Sequence, residues 1–290
     1  VLGAANLPAP VEPSWDQLIN GSLHCNYVEL EGVVSSVAEN TVALLTRGGL
    51  INVRLNPAGV PLPQDAPGAT IRLRGCLLAD WDGYTKRVVV GSIYVDQQMV
   101  SIVEPAPADP FAVGYKPVGD LLQFDPQAGA LQRIRVFGTL IHKGAALCCL
   151  MDGDNGLRFV PGTGLNAAVG DEVDVSGFLE LGGSSPVLHE SITRKTGHAG
   201  LPVPQRLESD NLLRDELDAT LVTVDGLFLN ISEQSGTTVL ELQNGFRRFE
   251  AELAGDCDSR ALVPGCLLEL TGAYIGLGGN RVLGRPIDSF

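Results

Sequence analysis

The chain has 290 residues, and its 34 acidic against 20 basic residues give a formal net charge of −14 at pH 7. No apolar run approaches the ~18–20 residues that a membrane-spanning helix needs, and six cysteines indicate neither a dense disulfide scaffold nor a zinc finger. An acidic surface repels phosphates, and nucleic-acid affinity comes largely from Lys and Arg, so the composition argues against nucleic acid as a partner.

Six short stretches share one pattern, in which two apolar residues at alternate positions are followed by a glycine. Because alternate residues of a strand face one side, Gly32, Gly138 and Gly226 share the inner face with the apolar residues before them. A glycine there marks a bend or a close approach of backbone. The stretches occur in pairs: residues 28–32 with 71–75, 134–138 with 173–177, and 222–226 with 268–272. The chain is therefore predicted to contain one β-domain three times.

A hairpin signal separates the two members of every pair. The turns carry Gly-Gly at 48–49, Asp-Gly at 152–153 and Asn-Gly at 244–245. Each repeat is thus predicted to have five strands, and the fold class is all-β, with three tandem five-stranded OB-like Greek-key barrels joined by Pro-rich linkers. Ser14 and Ser209 are candidate N-caps of short helical turns before the first and third barrels. The predicted domain bounds are 1–108 (with an N-terminal linker), 109–203 and 204–290.

Five stretches carry a resemblance to a known family. They are residues 13–18 (PSWDQL), 27–34 (YVELEGVV), 104–111 (EPAPADPF), 121–124 (LLQF) and 182–188 (GGSSPVL). On these motifs the whole chain resembles the extracytoplasmic sensor region of a group of bacterial sensor histidine kinases. In that group, tandem OB-like domains precede a transmembrane helix and a cytoplasmic kinase.

The resemblance implies a non-catalytic, periplasmic sensing module whose partner is an unknown small molecule, an oligosaccharide or an extracytoplasmic protein. It implies that a membrane helix and a kinase follow Phe290, that only this helix contacts the membrane, and it is consistent with a homodimeric full-length parent. The alternative is a free-standing OB-fold protein that binds oligosaccharide or single-stranded nucleic acid. A third hypothesis is a hydrolase, which would need a placed acid–base pair.

Catalytic and metal-binding signatures are absent from the sequence. The four histidines lack metal-ligand spacing, and neither a nucleophile elbow nor a Walker loop is present. No catalytic residue, metal or cofactor is therefore predicted. Residues 152–156 (DGDNG) resemble the start of a calcium loop, but the twelfth position is Thr163 instead of Glu, which favours a hairpin turn.

One predicted turn has the composition of a binding loop. The predicted ligand-binding residues are Trp81, Tyr84, Lys86 and Arg87. They connect the fourth and fifth strands of the first barrel, a loop that lines the ligand groove of OB-folds. Their rings offer stacking and hydrogen bonding, and their charges could orient an anionic group. The alternative is that Trp81 packs against the neighbouring barrel. Arg247 and Arg248 beside Phe246 form a weaker second candidate, with a solvated hairpin as its alternative.

The cysteines allow more than one interpretation. Cys148 and Cys149 are adjacent in a predicted strand, so one side chain is expected in the core and the other outward. In an oxidising compartment, Cys25 could form a disulfide with Cys76, and Cys257 with Cys266. The alternative is that these cysteines are buried free thiols.

Overall fold

The chain folds into two compact units in a computed structural model. One unit holds the first barrel, with residues 7–112 and 131–132, and the other holds the second and third barrels. The structure describes residues 7–121, 131–144, 146–162, 164–180, 185–208, 215–234, 236–253, 262–276 and 281–286.

A short helix, α1 (Trp15–Asn20), precedes the first barrel, as predicted from its N-cap residue. The Ser14 hydroxyl accepts a hydrogen bond from the Gln17 N–H at 3.3 Å, and the Gln17 side-chain carbonyl accepts one from the Ser14 N–H at 3.0 Å. This capping box satisfies backbone donors that a helix start leaves without partners. Gly21, with φ 75°, ends the helix in the left-handed conformation. The other predicted N-cap, Ser209, lies outside the described residues.

Five strands form the first barrel, which closes in the order β1-β2-β3-β5-β4. The strands are β1 (Asn26–Ala38), β2 (Thr41–Thr46), β3 (Gly49–Leu55), β4 (Thr70–Trp81) and β5 (Val88–Glu104). Neighbouring strands are antiparallel except β3 and β5, which run parallel. This is the arrangement of an OB-type Greek-key barrel, and the predicted fold class is confirmed.

The second barrel repeats this arrangement, with strand order β10-β8-β7-β6-β9 and one parallel pair, β8 with β10. A single helical turn, α2 (Val118–Leu121), comes before it. Its strands are β6 (Arg133–Lys143), β7 (Cys148–Asp152), β8 (Asn155–Pro161), β9 (Asp171–Glu180) and β10 (Val187–His198).

The third barrel has the same five-strand ring and one added strand. The sheet order is β11-β12-β13-β14-β16-β15, and β15 also pairs with β12, which closes the ring. Strand β11, which the sequence did not predict, adds in parallel to β12. The elements are β11 (Gln205–Leu207), a 3₁₀ turn (Asp215–Leu217), β12 (Leu221–Gln234), β13 (Thr237–Asn244), β14 (Arg247–Leu253), β15 (Leu267–Ile275) and β16 (Arg281–Pro286).

The three glycines of the repeat occupy equivalent positions in β1, β6 and β12. In each strand the pairing with the next strand shifts register two residues after the glycine. A Cβ at Gly32 would lie 2.6 Å from the Leu45 carbonyl oxygen, and one at Gly226 would lie 2.9 Å from the Leu242 Cβ. A Cβ at Gly138 would overlap the Met151 carbonyl. The glycines therefore let the first and second strands approach closely where the first strand bends.

Each barrel encloses its own apolar core, filled from alternate positions of its strands. Large side chains with less than 2 % exposure include Ile51 in the first barrel, Phe159 in the second, and Phe228 and Tyr274 in the third. A fourth apolar cluster joins the second and third barrels, and its members are Ile141, Cys149, Met151, Ala219, Leu221, Ala273 and Ile275.

The adjacent cysteines of β7 show how this fourth cluster is built. Cys148 lies in the core of the second barrel, and Cys149 lies on the opposite face, in the fourth cluster. Both side chains are fully buried, and burial raises the pKa of both thiols. The prediction of opposite faces is therefore confirmed, but the outward cysteine is not exposed, because residues of the third barrel cover it.

A buried ion pair also joins the second and third barrels. Arg158 Nε of β8 lies 2.8 Å from Asp218 Oδ2, and the two side chains are only 3 % and 6 % exposed. The second carboxylate oxygen of Asp218 accepts a hydrogen bond from the Gly276 N–H at 2.9 Å. Arg158 Nη2 is buried without a hydrogen-bond partner among the described residues. The charge of Arg158 is therefore compensated mainly by this one carboxylate.

Acid is expected to weaken the second barrel through Asp171, at the start of β9. Its buried carboxylate accepts a hydrogen bond from the Ala168 N–H at 2.9 Å, and Lys195 and His198 lie 2.7 and 2.9 Å away. These contacts hold the pKa of Asp171 well below its ordinary value, the Ala168 hydrogen bond contributing most. A lowered folded-state pKa stabilises the fold above the unfolded pKa of ~3.9, and this contribution disappears as the pH falls towards the folded value.

The Asp171→Asn variant should therefore be less stable than the wild type at pH 7, and the difference should shrink below about pH 4. Urea midpoints measured from pH 7 down to about pH 3 test this. Asp154→Asn, in the exposed β7–β8 turn, is the control and should show no such convergence. A difference between Asp171→Asn and wild type that stays constant across this range would contradict the assignment.

Candidate functional site

The turn between β4 and β5 is a compact, internally hydrogen-bonded structure, and residues 81–87 are called the β4–β5 tip below. Asp82 Oδ1 accepts hydrogen bonds from the Tyr84 N–H at 3.0 Å, the Thr85 N–H at 2.6 Å and the Thr85 hydroxyl at 2.8 Å. These bonds, those from Thr85 most of all, lower the pKa of Asp82. The Asp82 N–H also bonds to the Arg87 carbonyl at 2.9 Å, and the Lys86 N–H to the Asp82 carbonyl at 3.0 Å. The tip is therefore ordered by its own hydrogen bonds.

The two aromatic residues of the tip face solvent. Trp81 is 51 % exposed and Tyr84 98 % exposed, so about half of Trp81 and nearly all of Tyr84 are open to solvent. One side of the Trp81 ring meets the edge of His24, with ring centroids 6.5 Å apart and an interplanar angle of 81°. His24 is itself held by a hydrogen bond from the Ala79 N–H to its Nδ1 at 3.1 Å. Trp81 thus packs against His24 on one side, and its exposed part remains accessible to a ligand.

The tip also carries two positive charges. Lys86 and Arg87 are exposed and form no ion pair among the described residues. By contrast, the arginines on the strands of this barrel are paired: Arg54 with Asp80 at 3.0 Å, Arg72 with Glu29 and Glu31 at 3.0 Å each, and Arg74 with Glu29. The structure therefore brings together all four predicted site residues as two exposed rings and two exposed cations.

A polar strip continues from the tip across the outer face of β3 and β5. Asn52 and Arg54 are exposed on β3, and Asn52 lies beside Ser92 of β5. Ser92 donates a hydrogen bond to Asp80, which also pairs with Arg54. OB-folds bind extended ligands with the face of their second and third strands and with this loop. The strip and the tip together have the composition of such a surface.

A cavity of about 540 Å³ lies elsewhere on the same barrel. It is bordered by α1, β1, the β2–β3 turn and β4, and none of the predicted site residues lines it. Its lining includes Glu12, Trp15, Leu18, Leu30, Arg47 and Arg72. The cavity was not predicted from the sequence. The acidic residues at 29 and 31 and the basic residues at 72 and 74 did indicate that β1 and β4 pair, and three of these four residues line the cavity.

The weaker candidate in the third barrel is also exposed. Phe246 occupies the two-residue turn between β13 and β14, and its side chain is fully open to solvent. Arg248 pairs with Glu241 at 3.1 Å, whereas Arg247 forms no ion pair in the described part of the chain. The backbone forms the hairpin given above as the alternative. The exposed Phe246 ring is the one feature that this turn shares with a binding site.

Other expected features can be placed as well. Residues 152–156 form the β7–β8 hairpin, as predicted, and the five described cysteines are free thiols, Cys257 lying outside the described residues. Within the described ranges, no group of three or more His, Cys, Asp or Glu side chains is arranged to hold a metal ion. Neither α1 nor α2 has the length or apolar character needed to cross a membrane, and no other helix of the described chain does.

Comparison with known proteins gives matches among solved structures only. No protein-family model and no curated protein matches the chain. A murine DNA-binding protein solved with double-stranded DNA matches 52 % of this chain and 94 % of its own, with 9 % identity and a TM-score of 0.28. The p202 HIN1 complex with a 12-mer double-stranded DNA matches 63 % and 100 %, with 14 % identity and a TM-score of 0.25. Fission yeast Pot1 with single-stranded DNA matches 59 % and 90 %, with 10 % identity and a TM-score of 0.23.

These matches correct one prediction and leave another without support. The prediction that nucleic acid is an unlikely partner is corrected, because chains solved with double- or single-stranded DNA are among the matches. It relied on net charge, which sums the whole chain and does not describe local sites such as Lys86 and Arg87. The matches do not assign DNA to this chain, since DNA is the ligand of those proteins. None of the three proteins named above is a sensor histidine kinase, and the periplasmic location and the domain bounds stay predictions.

Proposed function

We propose that the chain is a non-catalytic binding module that holds single-stranded nucleic acid at the β4–β5 tip of its first barrel. The observation that carries the proposal is the composition and exposure of the tip: Trp81 and Tyr84 are open to solvent beside the exposed cations Lys86 and Arg87. Stacking on aromatic rings and contacts from cations to phosphates are the two components of single-strand recognition by OB-folds.

The order of the tip favours this function. Asp82 fixes the turn before any ligand arrives, so binding does not have to order the backbone. Unstacked bases can lie on Trp81 and Tyr84, while Arg54 and Asn52 extend the polar surface along β3. The net charge of −14 opposes a polyanion at long range, so binding should be modest and should weaken steeply with salt.

Trp81→Ala and Tyr84→Ala should each weaken binding of a labelled single-stranded 12-mer by about tenfold, because one base–aromatic stack contributes ~1–3 kcal/mol. Fluorescence anisotropy at about 50 mM salt, where phosphate contacts are strong, measures this with DNA and RNA in turn. Val60→Ala removes an exposed apolar side chain of the same barrel away from the tip, and should leave the affinity unchanged.

The salt dependence tests the cations separately. Replacing both Lys86 and Arg87 with alanine should flatten the plot of log K against log salt by roughly 1.4, because each phosphate that is no longer neutralised removes ~0.7 from the slope. Lys116→Ala, in the other unit, should not change the slope. No saturable binding of DNA or RNA at low salt would overturn the proposal. Tighter binding of a neutral oligosaccharide, independent of salt, would show that the tip recognises sugars instead.

A further inference from the structure

The cavity of the first barrel has the size and walls of a small-molecule site. Its volume of about 540 Å³ lies within the range of ~300–1,000 Å³ that is usual for ligand pockets. Leu18 and Leu30 give it an apolar floor that continues into the barrel core. Trp15 forms a wall and lies against the backbone of Gly48 so closely that a Cβ there would be 2.5 Å from the Trp15 Cβ. The aromatic wall is therefore packed against the β2–β3 turn.

Three charged residues that line the cavity, Glu29, Glu31 and Arg72, form a network of ion pairs with Arg74. Glu29 contacts both Arg72 and Arg74, and Glu31 pairs with Arg72 at 3.0 Å. The register of β1 against β4 places Glu29 opposite Arg74 and Glu31 opposite Arg72, so the network follows from the strand pairing. Two acids and two bases sum to no net charge. This network builds the cavity and leaves little capacity to bind a further ion.

Two other charged side chains at the cavity are not ion-paired with this network, although the charge of Glu12 acts on Arg72. Glu12 and Arg47 are exposed, line the cavity, and form no ion pair among the described residues. One is negative and one positive, so together they complement a ligand that carries both charges. Leu18, Leu30 and the Trp15 ring also line the cavity, which would suit an apolar group beside the two charges.

We propose that this cavity binds a free α-amino acid with an apolar side chain. The ammonium group contacts Glu12, the carboxylate contacts Arg47, and the side chain lies against Trp15, Leu18 and Leu30. The site does not depend on the proposed function, because it shares no residue with the β4–β5 tip. It would give the module a second, small-molecule ligand.

L-Leucine is the first probe, and Trp15 is a built-in reporter. The chain has two tryptophans, Trp15 and Trp81, so Trp81→Phe, carried by every protein in the series, leaves fluorescence from the cavity wall alone. Leucine should change this fluorescence saturably. Leucinamide, which lacks the carboxylate, and N-acetyl-leucine, which lacks the ammonium group, should each bind at least about tenfold more weakly, as expected for the loss of one charge-assisted contact.

Variants then assign each charge to its partner. Arg47→Ala should weaken leucine about tenfold and leave leucinamide unchanged, whereas Glu12→Gln should weaken leucine and leave N-acetyl-leucine unchanged. Lys116→Ala and Asp65→Asn are the charge-matched controls away from the cavity, and thermal midpoints verify that every protein is folded. The proposal is overturned if leucine, isoleucine, methionine and phenylalanine all fail to bind, if leucinamide binds as well as leucine, or if neither variant changes the affinity.

Discussion

Asp218→Asn is expected to lower the free energy of unfolding of the unit that holds the second and third barrels by about 3–5 kcal/mol. Asparagine keeps the shape of the side chain and removes its charge, so Arg158 would remain buried without a counter-ion. Arg158 Nη2 already lacks a hydrogen-bond partner among the described residues, so the variant would leave the buried guanidinium still less satisfied. Urea unfolding followed by far-UV circular dichroism measures the change.

The exposed pair Arg248–Glu241 in the same unit is the matched control. Its side chains are 68 % and 40 % exposed, and Glu241→Gln should cost less than about 1 kcal/mol. Replacing both buried partners, as Arg158→Met with Asp218→Leu, should recover much of the loss, because no charge is then left buried. Tryptophan fluorescence reports separately on the first barrel, which contains both tryptophans. If Asp218→Asn cost no more than Glu241→Gln, the pair would not hold the two barrels together.

Gly138→Val is expected to destabilise the second barrel by about 3 kcal/mol, the upper end of the ~1–3 kcal/mol usual for overpacking. The added Cβ would overlap the Met151 carbonyl and lie 2.8 Å from Leu150 Cδ1. A side chain can rotate away, but a backbone carbonyl within a hydrogen-bonded sheet cannot move without disturbing the pairing of β6 and β7. The urea midpoint should fall accordingly.

Two other glycines calibrate this result. Gly164→Val is the control, since no atom lies within 4 Å of the position of its Cβ. Gly226→Val should cost less than Gly138→Val, because the neighbours of a Cβ at Gly226 are the side chains of Leu242 and Phe249 instead of backbone. An unchanged midpoint for Gly138→Val would mean that β6 and β7 can separate at this point without loss.

The architecture was predictable because its signals are local. Apolar alternation, the glycine bends and the Gly-Gly, Asp-Gly and Asn-Gly turns each depend on a few neighbouring residues, and three copies made the pattern distinct. Strand β11 was missed because three residues are too few to show a period. The outer face of β7 was misjudged because periodicity separates the two faces of a strand but does not say what covers each of them.

The candidate sites were predictable only in part. The β4–β5 tip could be found because its four residues are adjacent in sequence and their place in an OB-fold is known. The cavity could not, because Glu12, before α1, and Arg47, in the β2–β3 turn, are far apart in sequence and line one cavity only in the folded barrel. The ion pair of Arg158 and Asp218 joins different barrels, so no spacing within one repeat reveals it. The net charge could not reveal Lys86 and Arg87 as exposed local cations, since it sums over the whole chain.

The shared cluster of the second and third barrels limits how the chain can be divided. A chain cut between these two barrels would expose Cys149 and Met151 on one fragment and Leu221 and Ile275 on the other. Each fragment would carry a new apolar patch, which is a liability for aggregation. The smallest fragment of this unit that keeps the cluster buried is therefore the pair of barrels. A truncation series should keep the second and third barrels together.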